Sequence, residues 1–271
     1  MENKITIIGG GNLGQSIARG LLDSHYCQTS ELSITKRHTA ALKEFAQKKV
    51  HVTENNIEAV TKANIIILCV QPKQLLGVLK EIKPALSAEK IVISTVTGVC
   101  LSDMQAIIGT SIPLFRAMPN TAIAIRESMT CIATPHKNEL EAKKTVLELF
   151  KKVGEAIYIE EEQMASATVL AACGIAFALR YIRATAQGGI EVGFESDLAH
   201  KIAAQTVKGA ACLLQQGGRH PESEIDRVTT PQGCTIAGLN EMEHRGFSSA
   251  LIKGILTSFH KIAKIANDSK C

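Results

Sequence analysis

With 271 residues and 45% hydrophobic content, the chain can form one large domain or two ordinary ones around a real core. A formal charge of +4 is spread among scattered acids, without a basic arm or an aromatic-spaced basic strip, which argues against a nucleic-acid partner. Tryptophan is absent and aromatics make up 4% of the chain, so the core must be built from Ile, Leu, Val and Ala.

The chain opens on an aliphatic strand, KITIIGG, too short and without a cleavage site to be a signal peptide. A helix is expected from Asn12 to Leu22, a strand at ELSIT, a helix over Thr39–Lys48 and a short strand at Lys49–Thr53. ANIIILCV reads as a buried strand, Lys73–Ile82 as a helix, and KIVISTV as another strand. PLFRAMPN and SMTCIAT continue the sheet, and Asn138–Lys152 is a helix with Leu140, Val146, Leu147 and Phe150 on one face. Strands separated by helices of this length imply right-handed crossovers and a parallel, doubly wound sheet.

Beyond EAIYIEEEQ only helices are expected: Met164–Gln187, Ser196–Gln216, about Gly233–Arg245 and Phe247–Ala266. The change near Gln163 divides the chain into a doubly wound α/β domain, 1–162, and an all-α domain, 163–271. The acidic run Glu160–Glu162 is expected to solvate that junction and start the next helix. The longest apolar stretch, Ala165–Leu179, spans roughly 15 residues, too short for a bilayer and suited to a buried helix, so no membrane partner is expected. Ala165, Val169, Ala172, Ile175, Ala176 and Leu179 make this helix apolar nearly all round, which requires cover on every side. A second subunit is expected to supply it.

Gly9-Gly10-Gly11-Asn12-Leu13-Gly14 matches G-x-G-x-x-G between an apolar strand and a helix. Gly9, Gly11 and Gly14 serve a tight turn, close approach of a pyrophosphate and helix–strand packing, and the first amides of the helix, at Asn12 and Leu13, favour an anion. About 20 residues on, where an acid would accept from the ribose of NAD, stands Thr35-Lys36-Arg37. A hydroxyl and two cations favour a 2′-phosphate, so NADPH is the expected cofactor, with NADH as an alternative. Val70-Gln71-Pro72 and Ser94–Gly98 end two strands and are expected to border the cofactor.

Eight cysteines sit singly, without Cys-x-x-Cys, and eight histidines are dispersed with no metal-ligand spacing. Packed, reduced thiols in a cytoplasmic protein without a metal are expected. Among the histidines only His244 stands out, by its position near the last helices.

RAMPNTA (Arg116–Ala122) and DRVTTPQGCTIAGLNEMEHRGF (Asp226–Phe247) resemble signatures of the pyrroline-5-carboxylate reductases. The glycine loop, the basic segment after the second strand and the Val70-Gln71-Pro72 turn agree in order and spacing, so the resemblance runs from Ile5 to about Ser258. It implies a Rossmann domain, then a helical domain that interlocks with a partner as a homodimer or ring of dimers. The implied reaction is NAD(P)H-dependent reduction of pyrroline-5-carboxylate to proline. By the same matching, Thr230, Gly233, Cys234 and Thr235 would form the loop holding the substrate carboxylate, with Thr235 reaching the ring nitrogen. Asn120 would border the cofactor and Asn56 its adenosine ribose. A helix starting near Gly233 independently offers the free amides that a carboxylate needs.

The chain departs from the family pattern at several points. Cys173-Gly174-Ile175-Ala176-Phe177 stands where S-G-P-A-Y is usual, Ala122 replaces a proline, and Arg126 and Ser128 occupy glycine positions. Gln232 replaces the first glycine of P-G-G, and Cys234 a threonine. Two other readings stay open: a Rossmann reductase of another cyclic imine or a hydroxyacid, and a non-catalytic NADP-binding sensor. β-Hydroxyacid dehydrogenases want a lysine on the first helix of the helical domain, and Gln163–Leu179 contains none.

Overall fold

The computed structural model describes residues 4–136 and 138–268. In chain order it runs β1 (Ile5–Ile8), α1 (Asn12–Asp23), β2 (Leu32–Thr35), α2 (Lys43–Gln47), β3 (His51–Thr53), α3 (Asn56–Thr61), β4 (Ile65–Leu68) and α4 (Pro72–Ile82). Then come β5 (Ile91–Ser94), α5 (Leu101–Ile108), β6 (Leu114–Met118), β7 (Ser128–Ala133), α6 (Leu140–Lys151) and β8 (Gly154–Tyr158). The remainder is helical: α7 (Met164–Ala167), a π-helical stretch (Thr168–Cys173), α8 (Gly174–Glu191), α9 (Ser196–Gly217), α10 (Pro221–Arg227), α11 (Cys234–His244) and α12 (Phe247–Asp268).

The eight strands form one sheet in the order β3-β2-β1-β4-β5-β6-β7-β8. Six are parallel through β6, and the chain reverses its direction of travel across the sheet at β1, which places a ligand crevice at the carboxyl end of β1. The expectation of an all-parallel sheet fails at β7, which runs antiparallel to β6. The link between them is a short stretch around the 3-10 turn Thr121–Ile125, and a parallel return needs a crossover of a dozen residues or more. α6 supplies such a crossover, and β8 pairs parallel to β7.

Pleating sorts the central strands to two faces. Ile65 and Ile67 of β4 join Ile17, Leu21, Phe45 and Phe150 on one side, whereas Ile66 and Leu68 join Leu75, Leu79 and Met104 on the other. All four β4 side chains are buried, as expected for a strand covered by helices on both faces. Truncating one of them, as in Ile66→Ala, should cost about 2–5 kcal/mol. Two local expectations are corrected. Leu140 is 72% exposed at the start of α6, leaving Val146, Leu149 and Phe150 as its buried face. The helices α3, α5 and α10 were not expected; α3 and α10, of six and seven residues, are too short to show a helical period.

The chain divides into two compact units. One takes residues up to Cys173 together with those from Ser258, and the other is Gly174–Thr257. The division falls later than the compositional break at Gln163, because Met164, Thr168 and Val169 are buried in the first unit. Glu161, expected to be a solvated residue, instead accepts from the Leu101 amide (2.7 Å) and from Arg116 Nη1 (2.8 Å). It thereby caps α5 and pairs with a buried arginine of β6.

In the second unit α8 packs on α9 through Ala186, Ala199 and Ala203, with Gly189 allowing close approach to Ala199. Its large apolar side chains lie outside this small core: Leu179, Ile190, Phe194, Leu198 and Ile202 are all exposed in the single chain. The helical run Glu161–Glu191 is 31 residues, longer than the apolar stretch suggested, and by length and composition alone it could cross a membrane. Length therefore does not exclude a membrane span, contrary to the expectation from the apolar stretch.

Candidate functional site

The turn after β1 is built by two glycines with no room for a side chain. Gly9 has φ +105° and a Cβ there would stand 2.5 Å from the Cys69 carbonyl oxygen, while a Cβ on Gly14 would run into the Gly9 carbonyl. Gly11 differs: a Cβ there would meet nothing within 4 Å, so its lack of a side chain serves open space rather than packing. The Gly9 and Gly10 amides are spent on the Thr35 carbonyl, at 3.1 and 2.9 Å. The first intrahelical bond of α1 runs from Gln15 N to Gly11 O, so the amides of Asn12, Leu13 and Gly14 precede it. α1 has neither a side-chain cap nor an acid in its first turn, and its positive end is left for an external anion.

A cleft of about 350 Å³ opens beside this turn. The structure brings Gly9, Gly11, Thr35, Lys36, Arg37, Asn56, Val70 and Gln71 together on its walls, joined by His38, Glu54, Gln74, Val78 and Glu81. Lys36 and Arg37 form no ion pair among the described residues, and they share the cleft walls with the acids Glu54 and Glu81. Thr35 plays a different part from the one its type suggests. It is only 2% exposed, and its hydroxyl donates to Asn56 Oδ1 at 2.6 Å. Asn56 Nδ2 in turn donates to both Glu81 oxygens at 3.2 and 3.1 Å. Cys69 is a packing group here, since burial pushes its thiol up to about 12.

Other expected residues lie outside the cleft walls. Leu13 packs partly into the core, Asn12 is exposed at the start of α1, and Pro72 opens α4. Asn120 is 7% exposed and committed within the protein: its Nδ2 donates to the Ala171 carbonyl (3.1 Å), its Oδ1 accepts from the Ala122 amide (3.0 Å), and its own amide donates to Ser128 Oγ (3.1 Å). It therefore ties the end of β6 to the π-helical stretch, a distortion frequent at functional positions. Ser94 is buried at the end of β5, where its hydroxyl accepts from the Val96 amide.

In the second unit, Thr230 to Gly233 form a turn closed by the Gly233 amide donating to the Thr230 carbonyl at 3.0 Å. Gln232 sits at φ 58°, the left-handed region that favours glycine and that strains other residues. A Cβ on Gly233 would approach Thr230 Oγ1 to 2.5 Å and the Thr230 carbonyl oxygen to 3.0 Å, so a side chain there would have to turn the Thr230 hydroxyl away. Cys234 and Thr235 begin α11, whose N-terminus has no side-chain cap and no acid in its first turn. Thr230 and Cys234 are exposed and Thr235 half-buried. His244 closes the same helix at its far end, about 15 Å away by the rise per residue, and so takes no part in the turn. Among the described residues no cluster of metal-ligating side chains exists.

Glu81, Glu54, Gln74 and Val78 were not anticipated from the sequence. Gln74, Val78 and Glu81 fall at helical spacing on one face of α4, a pattern that the sequence contains but that points to a cleft only once α4 is known to flank it.

Residues 161–265 match the family model described as pyrroline-5-carboxylate reductase dimerisation, and residues 4–98 match one described as NADP oxidoreductase, coenzyme F420-dependent. The chain is 47% identical over 275 residues to pyrroline-5-carboxylate reductase 1 of Dictyostelium discoideum, covering 97% of itself and 50% of that protein, so it spans about half the length of that relative. It is 45% identical over 278 residues to pyrroline-5-carboxylate reductase 2 of the same organism, covering 97% of itself and 93% of the relative. A crystal structure of Plasmodium falciparum pyrroline carboxylate reductase with NADP bound has the same fold, with a TM-score of 0.89 at 23% identity over 98% of this chain and 99% of that one.

Proposed function

The chain belongs to the pyrroline-5-carboxylate reductase family, and from that premise we propose that it reduces 1-pyrroline-5-carboxylate to L-proline with NADPH. The observation that carries the reading is the glycine turn with its vacant side-chain space at Gly11 and its uncapped helix end, beside the Lys36 and Arg37 cations. These residues fit a dinucleotide carrying a 2′-phosphate. The amides of Asn12, Leu13 and Gly14 would hold the pyrophosphate, and Lys36 and Arg37 the 2′-phosphate. NADPH when bound supplies the hydride.

The substrate is a small cyclic imine with a carboxylate. The Thr230–Thr235 turn offers that carboxylate the free amides at the start of α11, and the Thr235 hydroxyl would orient the ring nitrogen. A cyclic imine is basic enough to arrive protonated, so its carbon is already electrophilic. The chain is then required chiefly to orient and to exclude water, which agrees with the lack of a histidine or lysine at this turn. Phe177 lacks the hydroxyl usual at its position, and nothing in the reaction as written requires one.

The apolar side chains left uncovered in the second unit, together with the dimerisation match over 161–265, support a homodimer, with rings of dimers as a larger assembly. The same pairing accounts for the long apolar run Glu161–Glu191 without a membrane. The seven cysteines among the described residues are all free, which agrees with a soluble, cytoplasmic protein. By family match the domains read as a dinucleotide-binding 1–162 and a helical 163–271, while the helical packing unit itself is the narrower Gly174–Thr257.

The test is decay of NADPH absorbance with the purified protein and 1-pyrroline-5-carboxylate, with NADH in parallel. Substrate-dependent oxidation is expected, and Thr235→Ala should lower turnover by about tenfold or more while NADPH binding is kept. Unchanged turnover in that variant removes Thr235 from the mechanism. NADPH binding without oxidation of any imine would favour the sensor reading.

A further inference from the structure

The Thr35–Asn56–Glu81 chain fixes the direction of its own hydrogen bonds. The Glu81 carboxylate can only accept, so the Asn56 amide nitrogen must face it. The Asn56 oxygen then faces Thr35, whose hydroxyl must donate. Thr35 is buried, so its role is to lock Asn56, and Asn56 in turn holds Glu81 against the cleft. The chain therefore ends at a carboxylate on the cleft wall with acceptor capacity left over. Dinucleotide folds that use NADH place such a carboxylate at the end of the second strand, where this chain has Thr35-Lys36-Arg37. Here an acid reaches the same cleft from α4, one face of which (Gln74, Val78, Glu81) lines it.

We infer that Glu81 is a specificity-determining residue of the cleft, accepting from the adenosine ribose hydroxyls and maintaining the use of NADH beside NADPH. This rests on reading the cleft as the dinucleotide site. The carboxylate accepts from a free 2′-hydroxyl but repels a 2′-phosphate, whereas Lys36 and Arg37 do the reverse. The two sets act on the same ribose position with opposite preference, and their balance sets the cofactor ratio.

The experiment is calorimetric titration of wild type and Glu81→Gln with 5′-AMP and with 2′,5′-ADP (adenosine 2′,5′-bisphosphate), two ligands that differ only in the 2′-phosphate. Glutamine keeps a side-chain oxygen able to accept from Asn56 while losing the charge. 5′-AMP is expected to bind the variant about tenfold more weakly, with 2′,5′-ADP unchanged or a few-fold tighter, and the NADPH to NADH ratio of kcat/KM should rise in step. Equal weakening of both fragments would reduce Glu81 to a brace for Asn56, and no change in either would mean that the ribose never reaches it. Both outcomes overturn the inference while leaving the cleft assignment intact. Failure of wild type to bind either fragment would overturn the dinucleotide reading itself and the inference with it.

Discussion

Gly11 and Gly14 sit in one motif for different physical reasons, and the difference can be measured. A methyl on Gly14 collides with the Gly9 carbonyl, so Gly14→Ala should cost about 1–3 kcal/mol in stability, seen as a lower melting temperature. A methyl on Gly11 meets no protein atom, so Gly11→Ala should melt like wild type but bind NADPH, which carries the pyrophosphate, roughly tenfold more weakly. Equal melting temperatures for both variants would contradict this division. The departures from the family pattern also acquire causes at this scale. Arg126 and Gln232, both at glycine positions, have φ 62° and 58°, each at a cost of about 1 kcal/mol. Ser128 uses its hydroxyl to accept from the Asn120 amide. Ala122 provides the N–H that Asn120 Oδ1 accepts, a donor that a proline would lack.

Between elements, Asn120 joins β6, the 3-10 turn Thr121–Ile125 and the π-helical stretch, and Glu161 joins β6 to the start of α5. Asn120 is a polar fastening in nearly dry surroundings, where an unpaired group costs more than a made bond contributes, whereas Glu161 is only partly buried against the buried Arg116. Asn120→Leu strips partners from the Ala171 carbonyl and the Ala122 amide, and should lower stability by about 2–4 kcal/mol. Hydrogen exchange should accelerate first in Thr168–Cys173; exchange that rises evenly over the whole chain would show instead that Asn120 does not specifically hold the π-helical stretch. The family resemblance implies that Asn120 borders the cofactor. Residue type allowed that role, but only the packing of β6 against the helical stretch reveals how its amide is spent.

At the scale of the whole molecule, the two units are unequally finished. The sheet unit has filled cores on both faces, whereas the helical unit has three buried alanines and a half-buried Ile182, with Leu198, Ile202, Phe194 and Leu251 outside. An apolar surface of this kind marks an interaction face. The melting temperature should therefore rise with protein concentration, by mass action, and gel filtration at micromolar concentration should give a dimer or larger species. A monomer with a concentration-independent melting temperature would refute this.

By itself the sequence determined seven of the eight sheet strands (β8 was not among them), the glycine turn, the long helices and the need for a covering partner. Each of these depends on local spacing or on the total of apolar side chains. Only the tertiary structure decided that β7 runs antiparallel, that the Thr35 hydroxyl is donated to Asn56, that Asn120 is committed to Ala171, and that Glu81 reaches the cleft from α4. Those depend on which elements lie side by side. Asn56 and Glu81 are 25 positions apart in the chain and within hydrogen-bond distance in the fold, a proximity that no local pattern encodes.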